Sequence, residues 1–291
     1  MKSEFVDANG IHFHVRTDGE GPLVLLLHGF PQSSYAWHHV IPKLAARGYR
    51  VVAPDLRGYG ETTRPQHIRD YATKILGDDI AALVAALGEE KAHLVGHDWG
   101  GGLAWETAFA HPTVVDRLVV VNCPPAQVLA HAMRTSLGQL RRSWYIPYFT
   151  LPSLPERLMT RGHAKILARL FEGGGFSTDE INVYRDALCR PDAAWAALAY
   201  YRAAARSLLT DARRLRRKKV ASPTLVIWGE QDPVLGRELT LNLDRYVSGP
   251  LRIDYLPDAG HWVPQQFPDQ LVELVAGFIG SKAKRKTATR K

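Results

Sequence analysis

Apolar and polar residues alternate over residues 4–8 and 11–16, and the pair between them is Asn9-Gly10. Alternation with period two predicts strands, and an Asn-Gly pair accepts the positive φ angles of a tight hairpin. The pattern then changes. Leu23-Val24-Leu25-Leu26-Leu27 is an unbroken apolar run ending at His28-Gly29. Such a run predicts a strand buried on both faces, as in a parallel sheet. A helix is predicted over 34–47, stopped by Gly48, followed by a strand over 49–53. Helical spacing returns over 74–87 and ends at Gly88. A buried strand over 92–96 leads into a helix through Trp105 to Ala110, and another strand is predicted over 118–121. Strands alternating with helices predict βαβ units and a parallel sheet covered on both sides.

From Pro124 to Lys219 no run has the pattern of a buried strand. This stretch is helical in pattern and rich in aromatics, with Trp144, Tyr145, Tyr148, Phe149, Trp195, Tyr200 and Tyr201. Gly173-Gly174-Gly175 interrupts it, and Ser177 with Glu180 forms a capping-box pattern that restarts a helix near Ile181. The strand–helix rhythm resumes with a strand over 224–228, a helix over 238–246, a strand over 251–256 and a helix over 270–279. The predicted organisation is an α/β core of residues 1–123 and 220–281, a helical lobe of 124–219 and a basic, disordered tail of 282–291. The lobe is far longer than an ordinary connection.

Composition adds limits. Of 291 residues, 46% are hydrophobic and 23% charged, which excludes a wholly disordered chain. Two cysteines, Cys123 and Cys189, cannot build a disulfide framework or a four-cysteine zinc site, and they fit a reducing compartment. No apolar run reaches the length of a membrane span, and the first residues lack the apolar core of a secretion signal, so the expected setting is the cytoplasm. The net charge is +8, but the tail supplies six basic residues and no acid, leaving +2 on the rest. A second run, Arg213 to Lys219, holds six more. Neither run is interleaved with aromatics or set in a nucleic-acid-binding motif, so no specific nucleic acid partner is expected.

The chemistry centres on Gly96-His97-Asp98-Trp99-Gly100-Gly101. Small residues two positions either side of Asp98 permit the strained strand-to-helix turn that holds a nucleophile above a sheet. Serine at such a position needs a base to attack, whereas an aspartate is already ionised at neutral pH and is favoured by the helix start. A carboxylate can displace a leaving group at saturated carbon and form an ester, which water must then cleave with the help of a base. His261, in Gly260-His261-Trp262, and Asp232, in Gly229-Glu230-Gln231-Asp232-Pro233, each follow a predicted buried strand, where active sites of open α/β sheets assemble. They are the expected base and its orienting acid. The backbone N–H groups of Phe30, in His28-Gly29-Phe30-Pro31, and of Trp99 are placed to hold the oxyanion of ester hydrolysis. His12, His14, His38, His39, His67, His93, His111, His131 and His163 lack such a setting and are expected to be surface or capping groups.

Together with Asp55-Leu56-Arg57-Gly58-Tyr59-Gly60, these motifs make the chain resemble the soluble epoxide hydrolases of the α/β-hydrolase fold over residues 5–280. The resemblance implies a mostly parallel central sheet with helices on both faces and a helical cap inserted late in the sheet. It implies conversion of an epoxide and water to a vicinal diol through a covalent aspartyl ester. It also implies two cap tyrosines donating hydrogen bonds to the epoxide oxygen. The family's Tyr-x-x-Tyr-Phe run matches Tyr145-Ile146-Pro147-Tyr148-Phe149 at Tyr145, and its tyrosine before an arginine matches Tyr201-Arg202; Tyr148 and Tyr200 are adjacent alternatives. Phenols suit the task, because ring opening leaves an alkoxide that needs hydrogen bonds and then a proton. Phe30, Trp99, Tyr148 and Trp262 are expected to line the substrate site.

The alternatives are a haloalkane dehalogenase with the same triad, in which paired tyrosines would be idle, and a non-enzymatic ligand-binding protein on this scaffold. The expected partner is a small apolar epoxide, and a homodimer stays open. No organic cofactor or metal is expected, because the sequence shows no cluster of His and Cys ligands and Gly96 to Gly101 is not a dinucleotide fingerprint.

Overall fold

Eight strands form one sheet in the computed structural model, which describes residues 1–215 and 218–280, side chains of 208–213 excepted. They are β1 (Lys2–Ala8), β2 (Ile11–Asp18), β3 (Leu23–Leu27), β4 (Arg50–Pro54), β5 (Ala92–His97), β6 (Val115–Val121), β7 (Thr224–Gly229) and β8 (Leu251–Leu256). Their spatial order is β1-β2-β4-β3-β5-β6-β7-β8. β2 pairs antiparallel with both neighbours, and every pairing from β4 to β8 is parallel. The helices are α1 (Ile41–Ala45), α2 (Thr73–Ala86), α3 (Trp99–Ala110), then α4 (Ala126–Thr135), α5 (Leu137–Arg142), α6 (Tyr145–Thr150), α7 (Leu154–Ala164), α8 (Ile166–Leu170), α9 (Thr178–Leu188) and α10 (Ala193–Arg214) between β6 and β7, and finally α11 (Val263–Gln266) and α12 (Pro268–Ile279).

The unbroken apolar strands follow from cover on both faces. Val24 and Leu26 of β3, Val119 and Val121 of β6, and Leu225 and Ile227 of β7 pack under α1 and α12. Leu25, Val120 and Val226, pointing the other way, join α2, α3 and the inserted helices in the second core. A run with no polar position is what two buried faces require.

Two predicted helices are corrected. Residues 34–47 divide into a 3-10 turn, Ser34–Trp37, and the short α1. Pro42 sits in the first turn of α1, where its missing N–H costs nothing, and so starts a helix rather than continuing one. Residues 238–246 form only two 3-10 turns, because Leu241 is extended and Asn242 is left-handed at φ 60°. The capping box of Ser177 and Glu180 is present, and its helix starts at Thr178.

Arg214, part of the second basic run, makes a two-pronged ion pair with the buried Glu106 of α3, at 2.6 and 2.9 Å. One of these charges therefore serves internal packing. The other positions of interest here, Arg216, Arg217 and the basic tail, lie outside the described residues. Among the described residues no helix is long and apolar enough to cross a membrane.

Candidate active site

β5 ends at His97 and α3 begins at Trp99, so the chain reverses through a single residue, Asp98. Its backbone sits at φ 50° and ψ −122°, a strained conformation for a residue with a side chain. The turn closes only because its neighbours lack Cβ atoms: one on Gly96 would collide with the Gly100 carbonyl, and one on Gly100 with the Leu27 carbonyl. Gly29 belongs to the same packing, since a Cβ there would come within 2.5 Å of the Asp98 Cβ.

The Asp98 carboxylate is held from two sides. The Phe30 N–H donates to Oδ1 at 2.8 Å, and Nε2 of His261 lies 3.6 Å from Oδ2. Trp99, the first residue of α3, has no carbonyl one turn back, so its N–H points out of the helix start beside Asp98. On the other side of the His261 ring, Nδ1 donates to Asp232 Oδ2 at 2.8 Å. The second oxygen of Asp232 accepts the N–H groups of Val234 and Leu235, at 2.7 and 2.9 Å. The structure thus brings together Asp98, His261, Asp232 and Phe30 from loops after β5, β8, β7 and β3.

Burial alone would raise the Asp98 and Asp232 pKa values, but His261 between them outweighs it and holds both below the usual range. Burial would lower the His261 pKa, yet Asp232 and then Asp98 push it up to about 10. Both carboxylates thus favour the protonated form of the His261 ring between them.

The tyrosines divide sharply. Tyr201, in α10, is buried with its ring against Phe30 (5.3 Å between centroids) and Trp99 (5.1 Å). Tyr145, in α6, meets the Tyr201 ring at 6.1 Å. Burial raises both phenol pKa values, and the nearby Asp98 charge raises them further, so both hydroxyls stay protonated and able to donate. Tyr145 and Tyr148 both lie against the exposed Trp144 (6.5 and 6.4 Å) and Phe149 (5.5 and 5.8 Å), so it is the contact with Tyr201 that marks Tyr145. The Tyr200 ring also meets Trp99, at 5.4 Å, but its hydroxyl donates to the Arg57 carbonyl at 2.8 Å. Trp262 stacks edge-on to His261 at 4.9 Å and packs against Phe171 and Phe176 of the inserted segment.

Three site residues escaped sequence reasoning. Asn122, left-handed at φ 46°, donates to Asp232 Oδ2 at 2.6 Å and accepts the Gly229 N–H at 3.0 Å. A lone polar residue closing the apolar run of β6 was its only signal. His97 donates from Nε2 to the His261 carbonyl at 2.8 Å, and burial lowers its pKa to about 4, so it is a neutral brace. His28 donates from Nδ1 to the Gly29 carbonyl at 2.9 Å and accepts the Leu56 N–H on Nε2 at 3.0 Å. It fixes the turn that presents the Phe30 N–H.

One group of possible metal ligands forms in the fold that the sequence, searched for clustered histidines and cysteines, did not show. His38 and His39, set aside as surface or capping groups, converge with Glu180, their ligand atoms all within 4.8 Å of one another. Glu180 is far from the His38-His39 pair in sequence, and only the docking of α9 unites them.

The family model for the alpha/beta hydrolase fold matches residues 22–157. The chain is 33% identical over 285 residues to the AB hydrolase superfamily protein YfhM of Bacillus subtilis, covering 96% of this chain and 98% of that one. It is 34% identical over 282 residues to epoxide hydrolase 3 of Mus musculus, covering 94% of this chain and 75% of the relative. A crystal structure of a Bacillus megaterium epoxide hydrolase bound to an inhibitor superposes with a TM-score of 0.86 at 28% identity, over 96% of this chain and all of that one.

Proposed function

We propose that this chain, which belongs to the epoxide hydrolases of the α/β-hydrolase fold, converts an apolar epoxide and water to a vicinal diol in two steps. The observation that carries the reading is the aspartate on the elbow, with the Phe30 N–H on one carboxylate oxygen, His261 Nε2 3.6 Å from the other, and the Tyr201 ring packed between Phe30, Trp99 and Tyr145. In the first step an Asp98 carboxylate oxygen attacks an epoxide carbon, and the carbon–oxygen bond of the ring breaks. The departing oxygen takes a proton from Tyr145 or Tyr201, and the tyrosinate is refilled from the His261 imidazolium. Esterification removes the Asp98 charge, one of the two that raise the His261 pKa. His261 is left neutral and able to act as a base.

In the second step a water oxygen attacks the Asp98 carbonyl carbon while its proton passes to His261 Nε2. The N–H groups of Phe30 and Trp99 hold the oxyanion. On its collapse the carbon–oxygen bond to the product breaks, the leaving oxygen takes the second proton of the added water, and the diol, the Asp98 carboxylate and a protonated His261 result. Asp232, fixed by Asn122, keeps the His261 ring turned toward the ester. Phe30, Trp99 and Trp262 form the apolar walls, and Tyr148 contributes at the periphery. Residues 124–219 act as the cap over a core of 1–123 and 220–281. Both cysteines are free, which suits a cytoplasmic enzyme.

Product analysis on aryl and alkyl epoxides beside a panel of haloalkanes tests the reaction class. Diol without halide release is the expected result. Halide release would place the chain with the dehalogenases and leave the two phenols as packing.

The charge pattern also predicts how stability varies with pH. The folded His261 pKa of about 10 lies above its reference value of 6.5. Its contribution is therefore complete below about pH 6.5 and is lost as pH rises toward 10. Asp98 and Asp232 are shifted down, so their contributions are present above about pH 4 and lost on acidification. Urea midpoints at pH 6 and pH 10.5 are expected to fall less in His261→Gln than in the wild type. An equal fall in both would mean that the imidazolium does not form.

A further inference from the structure

We propose that His38, His39 and Glu180 form a binding site for a zinc-class divalent cation that fastens α9 of the inserted segment to the loop after β3. His38 Nδ1 lies 2.8 Å from the Tyr35 carbonyl, which can only accept, so Nδ1 carries the hydrogen. The Nε2 lone pair of the neutral ring then faces Glu180 Oε1 at 3.2 Å, another acceptor. His39 Nε2 lies 3.3 Å from the same oxygen. A cation among these atoms would be held by one carboxylate oxygen and two imidazole nitrogens that already converge on it.

The spacing fits. Metal–ligand bonds of about 2.0–2.1 Å in a tetrahedron place the ligand atoms about 3.3 Å apart. The two nitrogen–oxygen edges, 3.2 and 3.3 Å, agree with that, and the whole set lies within 4.8 Å, a small side-chain shift from closure. The orienting contacts are also in place. A backbone carbonyl holds the far nitrogen of His38, as is usual for a histidine ligand. The other oxygen of Glu180 accepts the Ser177 N–H at 2.7 Å within the capping box, which aims Oε1 at the imidazoles. The Tyr35 ring stacks on His38 at 4.2 Å and fixes its plane. His38 and Glu180 are largely buried while His39 is 48% exposed, so the fourth position opens to water on the His39 side. Two imidazoles and one carboxylate suit zinc better than magnesium or calcium, which favour oxygen-only shells.

The ligands come from two parts of the chain. His38 and His39 precede α1 in the core, whereas Glu180 lies in α9. Tyr184, one turn further along α9, has its ring 6.0 Å from that of Tyr35. The cation would therefore clamp the insert beside the segment that presents Phe30.

The test is calorimetric titration of the untagged, chelator-treated full chain with zinc chloride, repeated with cobalt(II) to read tetrahedral coordination from its visible absorption. One equivalent should bind, and at a hundredfold excess over Kd the Tm should rise by about 5 °C. His39→Ala, at the exposed ligand, and Glu180→Gln, which keeps an oxygen for the capping box, should each weaken binding at least ~10-fold. His131→Ala, on the exposed face of α4, should leave it unchanged. Absence of saturable binding overturns the proposal. So does an equivalent that survives both substitutions, since that metal would sit elsewhere, for instance between Asp98 and His261.

Discussion

Asp98→Asn is expected to reduce epoxide turnover by about 10,000-fold or more while leaving the fold intact. The amide keeps the shape of the side chain and an oxygen for the Phe30 N–H, which donates at 2.8 Å. It loses the negative charge that makes the side chain a nucleophile. His261→Gln should fail differently. Asp98 is still ionised and can attack, but nothing removes a proton from the hydrolytic water. The variant should therefore give a burst of about one equivalent and stop, with its mass raised by that of the bound epoxide. In wild-type protein, a single turnover in heavy-oxygen water should place the label in the Asp98 carboxylate, because water attacks the ester carbon. Label found only in the diol, together with no burst in His261→Gln, would replace the covalent route with direct hydration.

Tyr145→Phe and Tyr201→Phe carry the second large effect. Each removes one hydrogen-bond donor from the developing alkoxide, and loss of one such donor typically costs about 100-fold to 1,000-fold in rate. With both gone, the alkoxide forms in a dry site with no proton source, and ring opening should fall toward the level of Asp98→Asn. Burst kinetics distinguish the steps, because these variants should slow ester formation and not ester hydrolysis. The neighbouring tyrosines provide the contrast. Tyr148→Phe should alter turnover by no more than a few-fold. Tyr200→Phe should act on stability, by about 1–2 kcal/mol, because its buried hydroxyl is lost to the Arg57 carbonyl. Normal burst amplitudes and rates in Tyr145→Phe and Tyr201→Phe would mean that these rings serve as cap packing.

The parts of this molecule readable from sequence are those whose cause is local. β3 was readable because two buried faces leave a five-residue strand no polar position. The elbow was readable because glycines two residues either side of Asp98 have no other common reason to occur together at a strand end. His261 and Asp232 were legible as candidates because they follow β8 and β7, and the structure brings them together at 2.8 Å. The tyrosines came from a resemblance; in the structure the Tyr145 ring meets Tyr201, and the Tyr201 ring meets Phe30, while the Tyr200 hydroxyl is taken up by the Arg57 carbonyl. What remained hidden depended on long-range meetings. Asn122 reaches Asp232 across 110 positions of chain, because β6 and β7 lie side by side. Glu180 reaches His38 only after α9 has docked. The breaks at Pro42 and Asn242 had local signals, but apolar spacing masked them.

The parallel pairing of β6 with β7 has a consequence for how such a chain can change. Leu118 stands opposite Thr224, so the long helical excursion leaves and re-enters the sheet on adjacent strands. To the sheet it is a single loop, however many helices it contains. His261 and Asp232, the proposed water-activating groups, lie outside that loop, and Tyr145 and Tyr201, the proposed donors to the alkoxide, lie inside it. A transplant starting just after Asn122 and ending before β7 would exchange the substrate-facing half of the chemistry and retain the hydrolytic half. A graft starting even one residue earlier would remove the amide that holds Asp232 at 2.6 Å. The seam between inherited and replaceable function in this architecture therefore runs through one peptide bond.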